Sequence, residues 1–349
     1  MREVTTKWLV RLGSFGFAGL LLFFALKDVD LDLVWAALKT ANYGWMVPLV
    51  IITLGSHWLR AVRWKMFLEV LPDRQHKNRP ISTWNTFISI MIGYMANYAG
   101  PRLGEVIRTG NVAQREKIPF SSVLGTVFVE RLLDMVFFGV ALLSIPFVFP
   151  SQTSDLWHLL TSPTLNLIQD ADLLWIIVGL VVILGCAGIV GFLLLKAARN
   201  PASRLMKFVR QFKSGLLSLL NTGKPGKIWA LTLLMWACYG LMAYLPFVLL
   251  GQNEAFNIGL IGAWGIMLIG ALGVIVPSPG GIGTFHFVTI QSLGMLFAMP
   301  ETEAATYALL AHSGQMLLYL LVGAIGILYL GSNLSSVSKN PSSGTSGHA

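Results

Sequence analysis

Long apolar stretches separated by short polar connections recur along the whole chain. Six of them are long and continuous enough to cross a hydrocarbon core of about 30 Å as α-helices. These stretches are 8–26, 45–62, 121–149, 173–195, 229–250 and 304–330. The pattern predicts six full transmembrane helices.

Two further apolar regions, 84–110 and 256–298, are interrupted by proline and glycine. Proline removes a backbone donor and glycine favours non-helical backbone, so a helix breaks at these residues. Freed backbone groups are tolerated at membrane depth only when they are buried in protein or face water. We therefore predict two re-entrant helical hairpins, each entering and leaving on one face of the membrane. The alternative is two ordinary spans that are merely kinked.

The composition agrees with a membrane protein. The 349 residues are 55% hydrophobic and only 12% charged, about half the charged fraction of a typical soluble domain. We predict an all-α polytopic protein with one transmembrane domain over 1–340 and a flexible tail over 341–349. Both cysteines, Cys186 and Cys238, lie inside apolar stretches. This arrangement indicates neither a disulfide framework nor a metal-ligand cluster.

The positions of lysine and arginine favour hairpins over full crossings. If both broken regions are hairpins, 22 of the 25 Lys and Arg fall on one side or at its edge. Full crossings would place Arg102, Arg108, Arg115 and Lys117 outside, where basic residues rarely collect. The bias predicts cytoplasmic termini in the inner or plasma membrane. The net charge of +9 then reflects cytoplasmic loops facing anionic lipid rather than nucleic-acid binding.

The order of these elements repeats. A span, a span, a hairpin and a span are followed by the same series in the opposite orientation. This layout is typical of an inverted-topology repeat, here about 1–150 and 170–332. The two breaks would then approach from opposite faces and meet near the middle of the membrane.

The first break, "AGPRLGEVIRTG", carries Arg102, Glu105 and Arg108 on one face of a helix. Guanidinium groups suit phosphate because they offer paired donors. Glu105 can hold an arginine in place or take up a proton. The alternative is a cytoplasmic loop with solvated charges.

The stretch 121–149 contains Glu130, Arg131 and Asp134. Glu130 lies about 15 Å along the helix by its rise, and Asp134 lies one turn further on the same face. Ionisable groups at this depth tend to mark pathways or relays. The alternative is a structural ion pair, for instance between Arg131 and Glu105.

Other candidates lie at the ends of apolar stretches or near the second break. His57, Arg60 and Arg63 indicate a snorkelling basic helix end, or else a gate or a head-group contact. His286 follows the second break, and His312 and Gln315 lie three residues apart in the last stretch. Packing histidines are the favoured interpretation, with a gate or head-group contact as the alternative. The basic, amphipathic segment 203–220 predicts an interfacial helix, or else a surface for a partner enzyme.

Three motifs taken together resemble a known family. "NYAGPRLGEVIRTG", "VLGTVFVERLLD" and "VPSPGGIGTF" are similar, in that order, to markers of the lysylphosphatidylglycerol synthase transmembrane-region family, also called flippase-like membrane proteins. The resemblance covers about residues 8–330. The positions that it implies are Pro101, Arg102, Gly104, Glu105, Arg108, Glu130, Arg131, Asp134, Pro279, Gly280, Gly281 and Gly283.

The resemblance implies an integral membrane protein that moves lipids or lipid-linked sugars between leaflets. Some members are fused to a soluble aminoacyl-transferase domain, but these 349 residues contain no region polar enough for one. We therefore do not expect synthase activity. The family often has an acidic residue after the glycine-rich break, where this chain has Thr284, Phe285 and His286. A proton-coupling role there would fall to His286.

These observations lead to a main functional hypothesis, a lipid flippase or transporter working by alternating access. Arg102, Arg108 and Arg131 would hold the phosphate of an anionic phospholipid or a polyprenyl-phosphate-linked lipid. Glu105, Glu130 and Asp134 would position these arginines, and one of the three would be available as a proton carrier. The sequence has no nucleotide-binding phosphate loop, and we expect no cofactor and no metal.

Two alternatives belong to other classes. One is a membrane-embedded lipid or polyprenyl-phosphate transferase with Glu130 and Asp134 as acid and base. The other is a non-transporting partner of a separate lipid-modifying enzyme such as a glycosyltransferase.

Overall fold

The computed structural model describes residues 29–75, 79–100, 102–151, 203–275 and 278–339, together with residues 19, 22, 23, 26 and 27. Within these residues the regular structure is entirely helical. The longer helices are α1 (Leu31–Thr40), α2 (Met46–Glu69), α3 (Thr83–Asn97), α4 (Leu103–Glu116), α5 (Phe120–Leu142), α6 (Arg204–Leu216), α7 (Pro225–Leu249), α8 (Leu260–Ile275), α9 (Thr284–Phe297) and α10 (Glu301–Lys339). Single turns occur at Tyr43–Trp45, Ile145–Val148, Ser218–Asn221, Gln252–Ala255 and Pro279–Gly281.

Four helical segments are long and apolar enough to cross a membrane, namely Tyr43–Glu69, Phe120–Val148, Pro225–Leu249 and Glu301–Leu330. They coincide with four of the six predicted spans, so an all-helical membrane architecture is confirmed. The predicted span 173–195 lies outside the described residues, and so does almost all of 8–26.

Each broken region forms two short helices that pack against each other. The two pairs are α3 with α4 and α8 with α9. Each helix has 14 to 16 residues, which is about 21–24 Å and less than the thickness of a hydrocarbon core. In the second pair, Gly262 faces Phe297 and Gly273 faces Thr284, so α8 and α9 run antiparallel.

Glycine permits the tight approach of α3 and α4. A Cβ atom on Gly104 would lie 2.0 Å from the carbonyl oxygen of Gly93. The Gly104 amide donates to Asn97 Oδ1 at 2.8 Å, which satisfies one of the free donors at the start of α4. The turn between the helices is therefore held by both packing and hydrogen bonding.

The contacts between helices follow the same order in the two halves. Helices α2, α3, α4 and α5 pack in sequence, and so do α7, α8, α9 and α10. Across the halves, α2 packs against α7 and α3 packs against α10. The buried apolar side chains form two clusters, one including Phe67 and Met91 and the other Phe247 and Ile269, and each cluster draws residues from both halves.

The two breaks contact each other. Gly280, in the second break, has a φ of 62° and lies against the ring of Tyr98, in the first. A Cβ atom on Gly280 would lie 2.2 Å from Tyr98 Cδ1, so no other residue fits there without a shift. The residues that interrupt the two helical regions are thus neighbours in space.

Two further helices flank this arrangement. Helix α1, which the hydrophobic pattern did not predict, is capped by Asp30, whose carboxylate accepts from the amides of Asp32 and Leu33. Helix α6 falls within the predicted amphipathic segment 203–220, and the turn Ser218–Asn221 extends one residue beyond it. Helix α6 packs on α5, where Gly215 approaches Gly125 so closely that neither could carry a Cβ without displacement.

We predict that Gly104→Ala destabilises the α3–α4 pair, because the added methyl group would overlap the Gly93 carbonyl. The free energy of unfolding should fall by about 1–3 kcal/mol, as for other overpacked sites. Denaturant unfolding of the purified protein in detergent measures this change.

The matched control is Gly110→Ala in the same helix, where a Cβ atom meets nothing within 4 Å. Because alanine favours helix, this variant should be neutral or gain up to about 1 kcal/mol. Equal stability of the two variants would contradict the tight contact at Gly104.

Candidate functional site

The interior of the first half contains a cluster of charged side chains centred on Glu130 of α5. Arg60 of α2 donates through Nε to Glu130 Oε1 and through Nη2 to Asp134 Oδ2, the latter at 2.6 Å. Arg108 of α4 donates through Nη1 to Glu130 Oε2 at 3.1 Å. One carboxylate therefore joins three helices.

Arg63 extends this cluster to the second half of the chain. Its Nη2 donates to Asp134 Oδ1 at 2.6 Å, and its Nη1 donates to Thr232 Oγ1 of α7 at 2.9 Å. Thr232 and Arg63 are both fully buried. This arginine thus links the two halves through a charge-assisted hydrogen bond.

Aromatic residues surround the cluster. The guanidinium of Arg108 lies 4.8 Å from the ring of Trp64, within the range of a cation–π contact. Tyr94 of α3 accepts a hydrogen bond from Arg60 Nη1 at 2.6 Å, and its ring stacks on Tyr319 of α10. His57 Nε2 lies 2.8 Å from the Tyr319 hydroxyl. The charged groups are therefore enclosed by rings rather than by solvent.

The cluster has more positive than negative groups. Arg60, Arg63 and Arg108 are no more than 4% exposed and Glu130 is fully buried, while the Asp134 side chain is 16% exposed. Three guanidinium groups face two carboxylates among these five side chains. One positive charge is therefore left over in a place where unpaired charge is strongly unfavourable.

A second ion pair lies closer to the surface. Arg131 Nη2 of α5 donates to Glu105 Oε1 of α4 at 2.6 Å. The Arg131 and Glu105 side chains are 39% and 22% exposed. This is the ion pair that the sequence suggested as a link between the first broken region and the following span.

A small recess lies between α3, α4 and α5, beside both ion pairs. Its lining residues are Ile90, Gly93, Tyr94, Asn97, Gly104, Glu105, Arg108 and Arg131. Two of their buried polar atoms have no hydrogen-bond partner, the donor Arg108 Nη2 and the acceptor Glu105 Oε2. Buried polar atoms are normally satisfied, so these two indicate a site for a molecule that contributes the missing partners.

The second break forms a separate polar group. His286 of α9 and His312 of α10 have ring centroids 4.8 Å apart. The Gly283 amide donates to His286 Nδ1 at 3.4 Å, and Gly281 lies beside His312. Gly280, Gly281 and Gly283 all have positive φ angles, which explains why glycine occupies these positions. Pro279 is buried in the same turn.

The structure brings together Glu105, Arg108, Glu130, Arg131 and Asp134. Arg102 lies apart from them: it is exposed, has a φ of 60°, and precedes α4. Pro101 lies outside the described residues, and Gly104 serves the packing of α3 on α4. The half-buried Gln315 lies on α10, one turn after His312.

The snorkelling interpretation of Arg60 and Arg63 is wrong. Helix α2 does not end near residue 62 but continues to Glu69, so both arginines lie inside it and are buried. The sequence pattern did not identify Trp64, Tyr94, Thr232 or Tyr319 as residues of the site. His57, Arg60 and Arg63 lie on one helical face. This spacing indicates that the helices packed on that face present polar side chains to it.

No group of three or more histidine, cysteine, aspartate or glutamate side chains suited to a metal ion occurs in the part of the chain that the structure describes. The side chains that line the recess and carry charge are the guanidinium groups of Arg108 and Arg131 and the carboxylate of Glu105.

We predict that Glu130→Gln lowers the free energy of unfolding by about 3–5 kcal/mol, because it leaves buried arginines without their shared carboxylate. Thermal and denaturant unfolding in detergent measure the loss. The control is Glu69→Gln, which removes an exposed carboxylate 3.7 Å from Lys65 Nζ and should change stability by no more than about 1 kcal/mol. If both variants proved equally stable, Glu130 would not hold the cluster together.

Comparisons with known proteins agree with the architecture. The family described as "Lysylphosphatidylglycerol synthase TM region" matches residues 11–323. A UPF0104 membrane protein of Methanocaldococcus jannaschii is 21% identical over 309 residues, which are 86% of this chain and 89% of that protein. No solved structure matches. Because the family match covers most of the chain and confirms the resemblance seen in the motifs, the protein belongs to the family of the lysylphosphatidylglycerol synthase transmembrane region.

Proposed function

We propose that this protein moves a phosphate-bearing lipid between the leaflets of the inner or plasma membrane. The observation that carries this proposal is the unpartnered Nη2 of Arg108, a buried donor that faces the recess between α3, α4 and α5. A phosphate oxygen is the acceptor best suited to such a donor, because a guanidinium binds it with both charge and hydrogen bonds.

The charge of the cluster supports an anionic substrate. The terminal nitrogens of Arg60 and Arg63 are occupied by Asp134, Tyr94 and Thr232, although Arg63 Nε has no partner, whereas Arg108 has only one of its two terminal nitrogens engaged. A bound phosphate would compensate the excess positive charge and complete the hydrogen bonds of Arg108. The substrate would therefore bind where the protein has excess positive charge and an unpartnered donor.

The surroundings of the recess suit a lipid rather than a water-soluble anion. Apolar side chains on the outer faces of α4 and α5 are exposed, among them Val106, Ile107, Phe128 and Leu132. Exposed apolar surface on a membrane protein faces acyl chains. A head group can then reach the recess from the side while its acyl chains stay in the bilayer.

The outer ion pair is placed to act as a gate. Arg131 and Glu105 join α4 to α5 beside the recess, and both side chains are partly exposed. An arriving phosphate competes with Glu105 for Arg131, which would loosen the contact and admit the head group. Arg102, exposed before α4, is available to make the first contact with the phosphate.

We propose that the two helix pairs are re-entrant hairpins and that the halves form an inverted repeat. The short helices, their antiparallel packing and the matching order of contacts in both halves support this arrangement. Both termini would be cytoplasmic. Rocking of the halves about the contact between Tyr98 and Gly280 would expose the recess to each leaflet in turn.

Helix α6 contributes a membrane-surface contact to this proposal. It exposes Leu205 and Phe208 next to basic residues such as Lys207. Such a surface binds anionic lipid head groups at the cytoplasmic face. Because the chain contains no nucleotide-binding phosphate loop, transfer would be downhill or coupled to an ion gradient.

We predict that Arg108→Ala slows lipid transfer by at least about tenfold, because a hydrogen bond to a charged group contributes about 1.5–3 kcal/mol. The assay uses vesicles of phosphatidylglycerol and phosphatidylethanolamine with fluorescent phosphatidylglycerol, and follows the fluorescence that an external reductant bleaches. A second series replaces the probe by a fluorescent polyprenyl phosphate.

The matched control is Arg79→Ala, which removes an exposed guanidinium from the segment before α3 and should leave the rate unchanged. Arg108→Lys should retain part of the activity, since it keeps the charge but not the paired donors. Wild-type transfer that is no faster than in protein-free vesicles, for both probes, would refute the proposed function. Wild-type transfer with an unchanged Arg108→Ala rate would refute the assigned site.

A further inference from the structure

Two histidines, His286 and His312, lie side by side next to the second break in the described interior. The proposed mechanism does not use them. His286 is 4% exposed, and the ring of His312 lies against it at an interplanar angle of 34°, with ring centroids 4.8 Å apart. His312 Nε2 is buried and has no hydrogen-bond partner. In the neutral tautomer with the proton on Nδ1, this nitrogen is a free proton-accepting position.

Among the described residues, no opposite charge is recorded in contact with this pair. Phe285 and the ring of Tyr98 are the aromatic neighbours of His312, at 5.3 and 6.5 Å between centroids. Helix α8, which packs on α9, carries no ionisable residue. On α10 the nearest ionisable side chains are tyrosines 307 and 319, whose hydroxyls bond the Ala243 carbonyl and His57.

Helices α1, α3 and α7 also pack on α10. Among the described residues, Tyr98 at the end of α3 is the only ionisable side chain of these elements with a recorded contact to the pair. In the part of the chain that the structure describes, the recorded neighbours of the pair are therefore aromatic rings and the Gly283 amide, with no charged side chain among them.

The position of the histidine pair links its protonation to the conformation of the second break. The glycine turn of the second break lies between two rings, with Gly280 against Tyr98 and Gly281 against His312. An imidazolium in this apolar setting is unfavourable, and two of them at this separation are more so. Protonation therefore favours a conformation in which the break opens and the pair meets water.

We propose that His286 and His312 form a proton-binding pair that couples the movement of one proton to the opening of the second break. The inference rests on the proposed transport function. A proton taken from water on one side binds an imidazole nitrogen, crosses with the change of conformation, and returns to water on the other side. One proton per cycle balances the single negative charge of a phosphodiester lipid, so that the cycle moves no net charge.

The test uses the vesicles and fluorescent phosphatidylglycerol described above, with a pH-sensitive dye trapped inside and a gradient of about one pH unit. A single coupled proton can change the transfer rate by up to about tenfold per unit of pH. The wild-type protein should show this response and carry protons with the lipid. His286→Gln and His312→Gln should each retain downhill transfer but lose both the gradient response and the proton movement.

Ser292→Ala serves as the control, because it removes a buried hydroxyl from α9 whose only recorded bond is to the Val288 carbonyl. It should keep the gradient response. Wild-type transfer that ignores the gradient and moves no protons would overturn the inference and leave the proposed function standing.

A direct measurement covers the case in which no transfer is seen. Nitrogen NMR of the full chain labelled at histidine, with the two glutamine variants for assignment, reports the protonation of each ring from about pH 8 to about pH 5. We expect one proton to be shared, so that replacing either histidine changes the titration of the other. Two rings that stay neutral throughout, or that titrate independently, would overturn the proposal even if the protein transported nothing.

Discussion

The interaction on which the structure most depends is the sharing of Glu130 by Arg60 and Arg108. A buried charge is tolerated only with partners, and these partners come from α2 and α4, on either side of α5. Asp134 and Arg63 extend this network of paired charges to Thr232 on α7. Electrostatic pairing thus fixes the relative positions of helices whose apolar surfaces alone would allow many arrangements.

Glycine supplies the second constraint, which is close approach. The contact of Gly104 with Gly93 brings α4 against α3 beside Arg108, and the contact of Gly280 with Tyr98 brings the two breaks together. In each case a side chain would occupy the space that the neighbouring backbone or ring now fills. The glycines of these family motifs therefore set how closely the helices approach, in addition to any chemistry that the motifs carry.

The molecule holds two polar centres of different character, one around Glu130 and one beside the second break. One is rich in guanidinium groups and has unpartnered donors on Arg63 and Arg108; the other is a pair of imidazoles for which no counter-ion is recorded among the described residues. The first is suited to an anion that stays bound by charge, and the second to a proton whose binding changes the local packing.

The sequence by itself determined the helical membrane class, four of the described spans, both breaks and the family, because hydrophobic length and helix-breaking residues are local properties. It also placed Glu130 and Asp134 on one helical face. Only the tertiary structure decided that Arg60 and Arg63 are buried partners of these carboxylates, that Arg102 stands apart, and that Tyr94, Thr232 and Tyr319 complete the surroundings. The reason is that a charged side chain near a helix end can reach water or turn inward, and the choice depends on what the neighbouring helices present to it.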